Sequence, residues 1–142
     1  MADGMKLQFV VNDGDFTRAG ETSSKVKKTL TQLGFSPIVI RKVAIAMYEG
    51  EINMVIHANG GTIDVEISSE KIVIVMQDKG PGIADIEKAM QAGFSTADSK
   101  VRELGFGAGM GLPNMKKYSD EMEITTEIGK GTCVKLTINV KE

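Results

Sequence analysis

The 142-residue sequence holds one cysteine and one histidine. A lone cysteine cannot close an internal disulfide, and these two residues fall short of the ligands of a structural zinc site. The fold must therefore rest on its core alone, which suits a reducing compartment. A basic excess is also lacking: 17 Lys and Arg stand against 19 Asp and Glu, for a formal net charge of -2. A nucleic-acid partner is not expected from that balance, because phosphate backbones are gripped by surplus positive charge. Apolar runs are short. Ile72 to Met76 is far below the roughly 20 residues that span a bilayer, and Met1 to Lys6 shows no apolar run behind a basic patch. Neither a membrane span nor a secretory signal is expected, so the reading is cytoplasmic. Proline is scarce, at 3, and we find no repeat, low-complexity tract or linker. What the chain does have is 42% hydrophobic residues, enough for a core in one domain over residues 1–142, and 16 glycines that cluster in the second half. That clustering is the first hint of a ligand.

Local patterns predict a two-layer α+β sandwich. A short strand at Leu7 to Val11 ends at the turn-rich Asn12-Asp13-Gly14-Asp15. Asp15 could cap a helix in which Ala19, Val26, Leu30 and Leu33 recur at helical spacing from Phe16 on, closed by Gly34. Ser36-Pro37 opens a second, longer helix that runs to His57 and is stopped by Asn59-Gly60-Gly61. Thr62 to Ser68 alternates like a half-buried strand, Lys71 to Gln77 is apolar on both faces, and a hairpin turn joins them. A short helix follows at Ala84 to Gln91, then a glycine-rich loop from Gly93 to Gly111, a helix at Leu112 to Tyr118, and strands at Glu123 to Glu127 and Thr132 to Val140. The sheet is expected to be antiparallel or mixed, mostly antiparallel, with the helices on one face.

Three motifs can carry chemistry. Glu49 and Asn53 lie four residues apart, so they share one helix face and can address one ligand together. A carboxylate there can deprotonate a hydroxyl, and an amide oxygen can ligate magnesium; the same pair could equally be solvated surface. Gly50 between them costs about 1 kcal/mol relative to alanine in a helix and points to close packing or to ligand approach. Asp78-Lys79-Gly80-Pro81-Gly82 follows the apolar strand directly, so that Asp78 could accept from an exocyclic amine such as adenine N6 while Gly82 leaves room for a flat ring, or the run could be an ordinary turn. Gly107-Ala108-Gly109-Met110-Gly111 leads into the helix at Leu112, where backbone N-H groups and the helix dipole can receive phosphate. It is neither a Walker A loop nor a dinucleotide fingerprint. His57 reads as a helix C-terminal residue, Cys133 as packing rather than a nucleophile, and the nine methionines as core filler with a few surface positions.

Order and spacing of the three motifs resemble the Bergerat-fold ATPases, the superfamily of gyrase, Hsp90-type chaperones, histidine kinases and MutL-type repair proteins. Glu49-x-x-x-Asn53 resembles their N box, Asp78-x-Gly80-x-Gly82 their first glycine box, and Gly107-x-Gly109-x-Gly111 their second, with Gly131-Thr132 similar to the position whose threonine supports the adenine-binding aspartate through water. The resemblance extends from about Lys6 to Val140. Small size and the runs Gly93-Phe94-Ser95-Thr96 and Gly111-Leu112-Pro113-Asn114 look most like the bacterial anti-sigma factor and switch-kinase group. The chain departs from the family at Tyr48-Glu49-Gly50-Glu51-Ile52, where small and apolar residues are usual and Glu51 adds a second negative charge.

That resemblance implies a serine/threonine protein kinase using ATP and Mg2+. Glu49 would be its base, Asn53 its magnesium ligand, and Asp78 its adenine acceptor, with Gly80, Gly82, Ile83 and Thr132 completing the nucleotide contacts. Ser95, Thr96, Gly107, Ala108, Gly109, Met110, Gly111 and Leu112 would lie along a lid and its phosphate contacts. The implied substrate is a STAS-domain antagonist, with a sigma factor or other regulator, or a second copy of the chain, as further partners. The alternative is a nucleotide-sensing module that sequesters a sigma factor or other partner with little transfer, which Gly50 and Glu51 beside the base would favour.

Overall fold

The structure, a computed structural model, describes residues 4–12, 20–57, 60–78 and 111–140. Five strands, β1 (Met5–Asn12), β2 (Gly60–Ile67), β3 (Lys71–Asp78), β4 (Glu121–Glu127) and β5 (Gly131–Asn139), form one sheet in the order β1-β2-β3-β5-β4. All four pairings are antiparallel, which settles the sheet type left open by the sequence. Among the described residues three helices accompany it: α1 (Glu21–Gln32), α2 (Pro37–His57) and α3 (Gly111–Tyr118).

Alternation along the strands sorts the two faces. Ile63, Val65 and Ile67 of β2, Ile72, Ile74 and Met76 of β3, and Val134, Leu136 and Ile138 of β5 all point into one core. Register explains why: Ile63 pairs with Met76, Val65 with Ile74, and Ile74 with Leu136, so one face of three central strands is continuously apolar. Val43, Ala46 and Met47 of α2, Val26 and Leu30 of α1 and Met115 of α3 cover that face. Each fully buried aliphatic side chain contributes about 1.5–3 kcal/mol relative to exposure, so this layer supplies most of the driving force. On the opposite face β2 presents Asp64 and Glu66 to solvent.

Helix α2 starts as its sequence predicts, with the Ser36 hydroxyl accepting from the N-H of Val39 at 3.3 Å and Pro37 in the first turn. The first helix is shorter than its apolar spacing suggests. Gly20 takes a left-handed φ of 92°, a right-handed helix cannot run through such a residue, and α1 begins at Glu21. Asp15, Phe16 and Ala19 lie outside the described residues, as does the helix expected at Ala84 to Gln91. The connection from β3 to β4 carries both glycine boxes and returns through α3 to the sheet edge beyond β5. Asp78, at the end of β3, is thus placed at one end of the sheet beside Gly131, where β5 starts.

Candidate functional site

Asp78 ends β3, half-buried. Its Oδ1 accepts the backbone N-H of Thr132 at 2.9 Å, which fixes the plane of the carboxylate. The Thr132 hydroxyl lies 2.9 Å from that of Thr126. Gly131 and Gly61 flank the aspartate on the two neighbouring strands. At Gly131, with φ at 126°, a Cβ would run into the main-chain carbonyl of Asp78; at Gly61 it would come within 2.8 Å of Asp78 Cα and 2.9 Å of Met54 Cε. Both glycines let the neighbouring strands close on the Asp78 main chain, which sets where its carboxylate stands. Sequence reasoning noticed Gly131 through the family pattern and missed Gly61, whose role shows only once Gly61 pairs with Asp78. Gly131→Ala should therefore cost about 1–3 kcal/mol from backbone strain alone. It should also weaken nucleotide binding by displacing Asp78, checked by thermal unfolding and calorimetry on the same sample.

Helix α2 lies above this end of the sheet. Met54 reaches Gly61, and Gly50 is pressed so closely by Met76 of β3 and Met115 of α3 that no Cβ would fit without moving them. Close packing, one of the two readings of Gly50, is what the structure shows. Glu49 and Asn53, both partly exposed, occupy the same stretch of helix. The Asn114 side-chain amide donates to Glu49 Oε1 at 3.4 Å. Asn114 belongs with the candidate site although the sequence reading did not select it; the only signal was its place in the helix that follows the second glycine box.

Glu51, read as a second charge near Glu49, turns the other way. It is 2% exposed and accepts from the backbone N-H groups of Thr22 and Ser23, on α1, at 3.2 and 3.1 Å. Its charge is absorbed by the positive end of α1 rather than added to the site. Gly80, Gly82, Ile83, Ser95, Thr96, Gly107, Ala108, Gly109 and Met110 lie outside the described residues. Gly111 and Leu112 open α3, which fits a phosphate-receiving helix start, and His57 ends α2.

Cys133 sits beside Thr132 on β5, partly buried. Burial first, and the Asp78 carboxylate second, push its thiol above the ordinary 9.0. Both causes favour the neutral thiol, which accords with packing rather than nucleophilic use. Asp78→Asn removes one cause, so the titration midpoint should fall toward 9.0. The rate of iodoacetamide alkylation at a fixed mildly alkaline pH should rise, and an unchanged rate would contradict the influence of Asp78 on the thiol.

The family described as histidine kinase-, DNA gyrase B- and HSP90-like ATPase matches residues 40–142, from α2 to the end of the chain. The chain belongs to that family. Serine/threonine-protein kinase RsbT of Bacillus subtilis is 31% identical over 127 residues, covering 87% of both chains. An anti-sigma F factor from a Thermoanaerobacter species is 40% identical over 103 residues, 69% of this chain and 68% of the relative. Another, from Geobacillus stearothermophilus, is 29% identical over 142 residues, 96% of this chain and 92% of the relative. These relatives put the chain in the anti-sigma factor and switch-kinase group of the family, and its enzyme class is serine/threonine protein kinase. A solved structure of the RsbU and RsbW domains of a Mycobacterium tuberculosis protein superposes with a TM-score of 0.66 over 97% of this chain, at 16% identity. That likeness concerns the fold alone, and this chain spans 33% of the longer one. No helix among the described residues is long and apolar enough to cross a membrane.

Proposed function

We propose that this partner-switching kinase binds ATP with Mg2+ and transfers the γ-phosphoryl group to a serine or threonine of a STAS-domain antagonist protein. The observation that carries the reading is the Asp78 cradle: an acceptor carboxylate fixed by the N-H of Thr132 and flanked by two glycines, beneath the helix that bears Glu49 and Asn53. Asp78 takes the exocyclic amine of adenine. Asn53 offers an amide oxygen to Mg2+, whose charge offsets that of the phosphates. The start of α3 presents backbone N-H groups to phosphate oxygens. Glu49, aimed by the Asn114 amide, accepts the proton of the incoming hydroxyl. The hydroxyl oxygen then bonds to the γ-phosphorus as the bond to the β-phosphate oxygen breaks, and ADP leaves. Positioning and charge neutralisation supply most of the rate, since this chemistry demands little else of the protein.

The anti-sigma F factor relatives favour a second reading, a module that holds a sigma factor according to its nucleotide state. Incubating the protein with Mg2+, γ-labelled ATP and a STAS-domain protein from the same genome separates the two. Label on serine or threonine of the STAS protein supports transfer. Nucleotide-dependent capture of a sigma factor without label supports the second reading.

A further inference from the structure

Tyr48, Gly50 and Glu51, the three residues around Glu49, each pack against a neighbouring element. Gly50 admits Met76 and Met115 on the side of the sheet and α3. On the other side the Tyr48 ring lies against Gly20, with Cε1 3.0 Å from where a Cβ would stand. Glu51, about 60° from Tyr48 around the helix axis at 3.6 residues per turn, accepts the first N-H groups of α1. Tyr48 and Glu51 therefore form one face of α2 devoted to the start of α1.

The start of α1 depends on that face. Gly20 occupies the cap position and has no side chain to offer, so α1 has no cap of its own. Ser23 turns its hydroxyl back to the Gly20 carbonyl at 3.0 Å, which tightens the turn without serving the N-H groups of Thr22 and Ser23. A carboxylate from another helix, 2% exposed, serves both of them. Two charge-assisted bonds, one to each carboxylate oxygen, tie α2 to the first turn of α1. Glu49 is two residues away, on the other side of the same helical turn, so what fixes Glu51 also fixes where the backbone of Glu49 stands and from where its side chain projects.

We propose that Glu51 is a positioning residue for phosphoryl transfer: by tying the first turn of α1 to α2 it aims Glu49 at the attacking hydroxyl. The proposal rests on the transfer reading above and adds a residue that touches neither nucleotide nor acceptor. A base displaced by a fraction of an ångström to 1 Å loses up to about 10²-fold in rate, while ATP affinity, held mainly by Asp78 on β3 and the start of α3 rather than by Asn53 on the displaced helix, stays.

The test uses the full chain with Mg-ATP and the STAS-domain protein that accepts label, with slow ATP hydrolysis as a second readout in which water is the acceptor. Glu51→Gln keeps the shape but offers one acceptor oxygen instead of two. Its kcat is expected to fall about 10- to 100-fold, with the KM for ATP and the Kd for ATP within twofold. Glu51→Asp should recover part of the loss. Glu51→Ala leaves a carboxylate-sized gap at two N-H donors, so formate should raise its kcat more than chloride at the same ionic strength. A Glu51→Gln protein that melts lower yet keeps its kcat would reduce Glu51 to a helix cap and overturn the proposal. So would a uniform loss of ATP binding, or a Glu51→Ala protein that folds, has lost rate and shows no preference for formate. If Glu51→Ala does not fold, the kcat and KM of Glu51→Gln decide alone. Absence of both transfer and hydrolysis in the unaltered protein would instead overturn the transfer reading, and this proposal with it.

Discussion

Glu49→Gln is expected to bind ATP as tightly as the unaltered protein and to transfer phosphate about 10²–10⁴-fold more slowly. Gln has the shape of Glu and lacks its basicity. It can also still meet the Asn114 amide through its carbonyl oxygen, so the packing between α2 and α3 is preserved. In the proposed reading binding is carried by Asp78, by Asn53 through Mg2+ and by the start of α3. A fall in kcat with unchanged affinity is the signature of a group that acts on the transferring proton. Quench-flow or label transfer under single-turnover conditions reads the chemical step, and equal rates for the two proteins would remove Glu49 from the role of base.

Asp78→Asn is expected to lose about 1–3 kcal/mol of ATP affinity, about 5- to 150-fold. The substitution is mild for the scaffold, because the Asn carbonyl oxygen can still accept the Thr132 N-H that now meets Oδ1. It is severe for adenine, because the other position becomes an NH2 facing the exocyclic amine, donor against donor. Calorimetry with Mg-ATP measures it, and an unchanged Kd would withdraw the adenine assignment.

Much of the fold was legible because its signals are local. Ser36-Pro37 marks the start of α2 from neighbouring residues alone, and the alternation of Ile63, Val65 and Ile67 gives the strand and its buried face. The start of α1 was not legible, because Ala19, Val26 and Leu30 continue a helical spacing across Gly20, and the acceptor that serves Thr22 lies 29 positions along the chain. The candidate site divides the same way. The spacing of Glu49 and Asn53 and the place of Asp78 after an apolar strand can be read directly. Asn114, 65 positions from Glu49, and Gly61, a neighbour of Asp78 only through strand pairing, become visible when the chain is folded. Glu51 reads in sequence as a disturbing charge beside a base. In the structure it is a helix cap, because a buried carboxylate goes where N-H groups are unserved.

The central claim is that Asp78, held by the Thr132 N-H, reads the adenine amine, and it is tested most directly by comparing ATP with inosine triphosphate on the unaltered protein and on Asp78→Asn. Inosine carries a carbonyl oxygen where adenine carries the amine, so the unaltered site should prefer ATP by about 10-fold or more, with a carboxylate opposed to that oxygen. In Asp78→Asn the new NH2 can donate to the inosine oxygen, and the preference should vanish or invert. Titration calorimetry of the four combinations gives the result in one experiment. The same ATP-to-inosine ratio in both proteins would contradict the account.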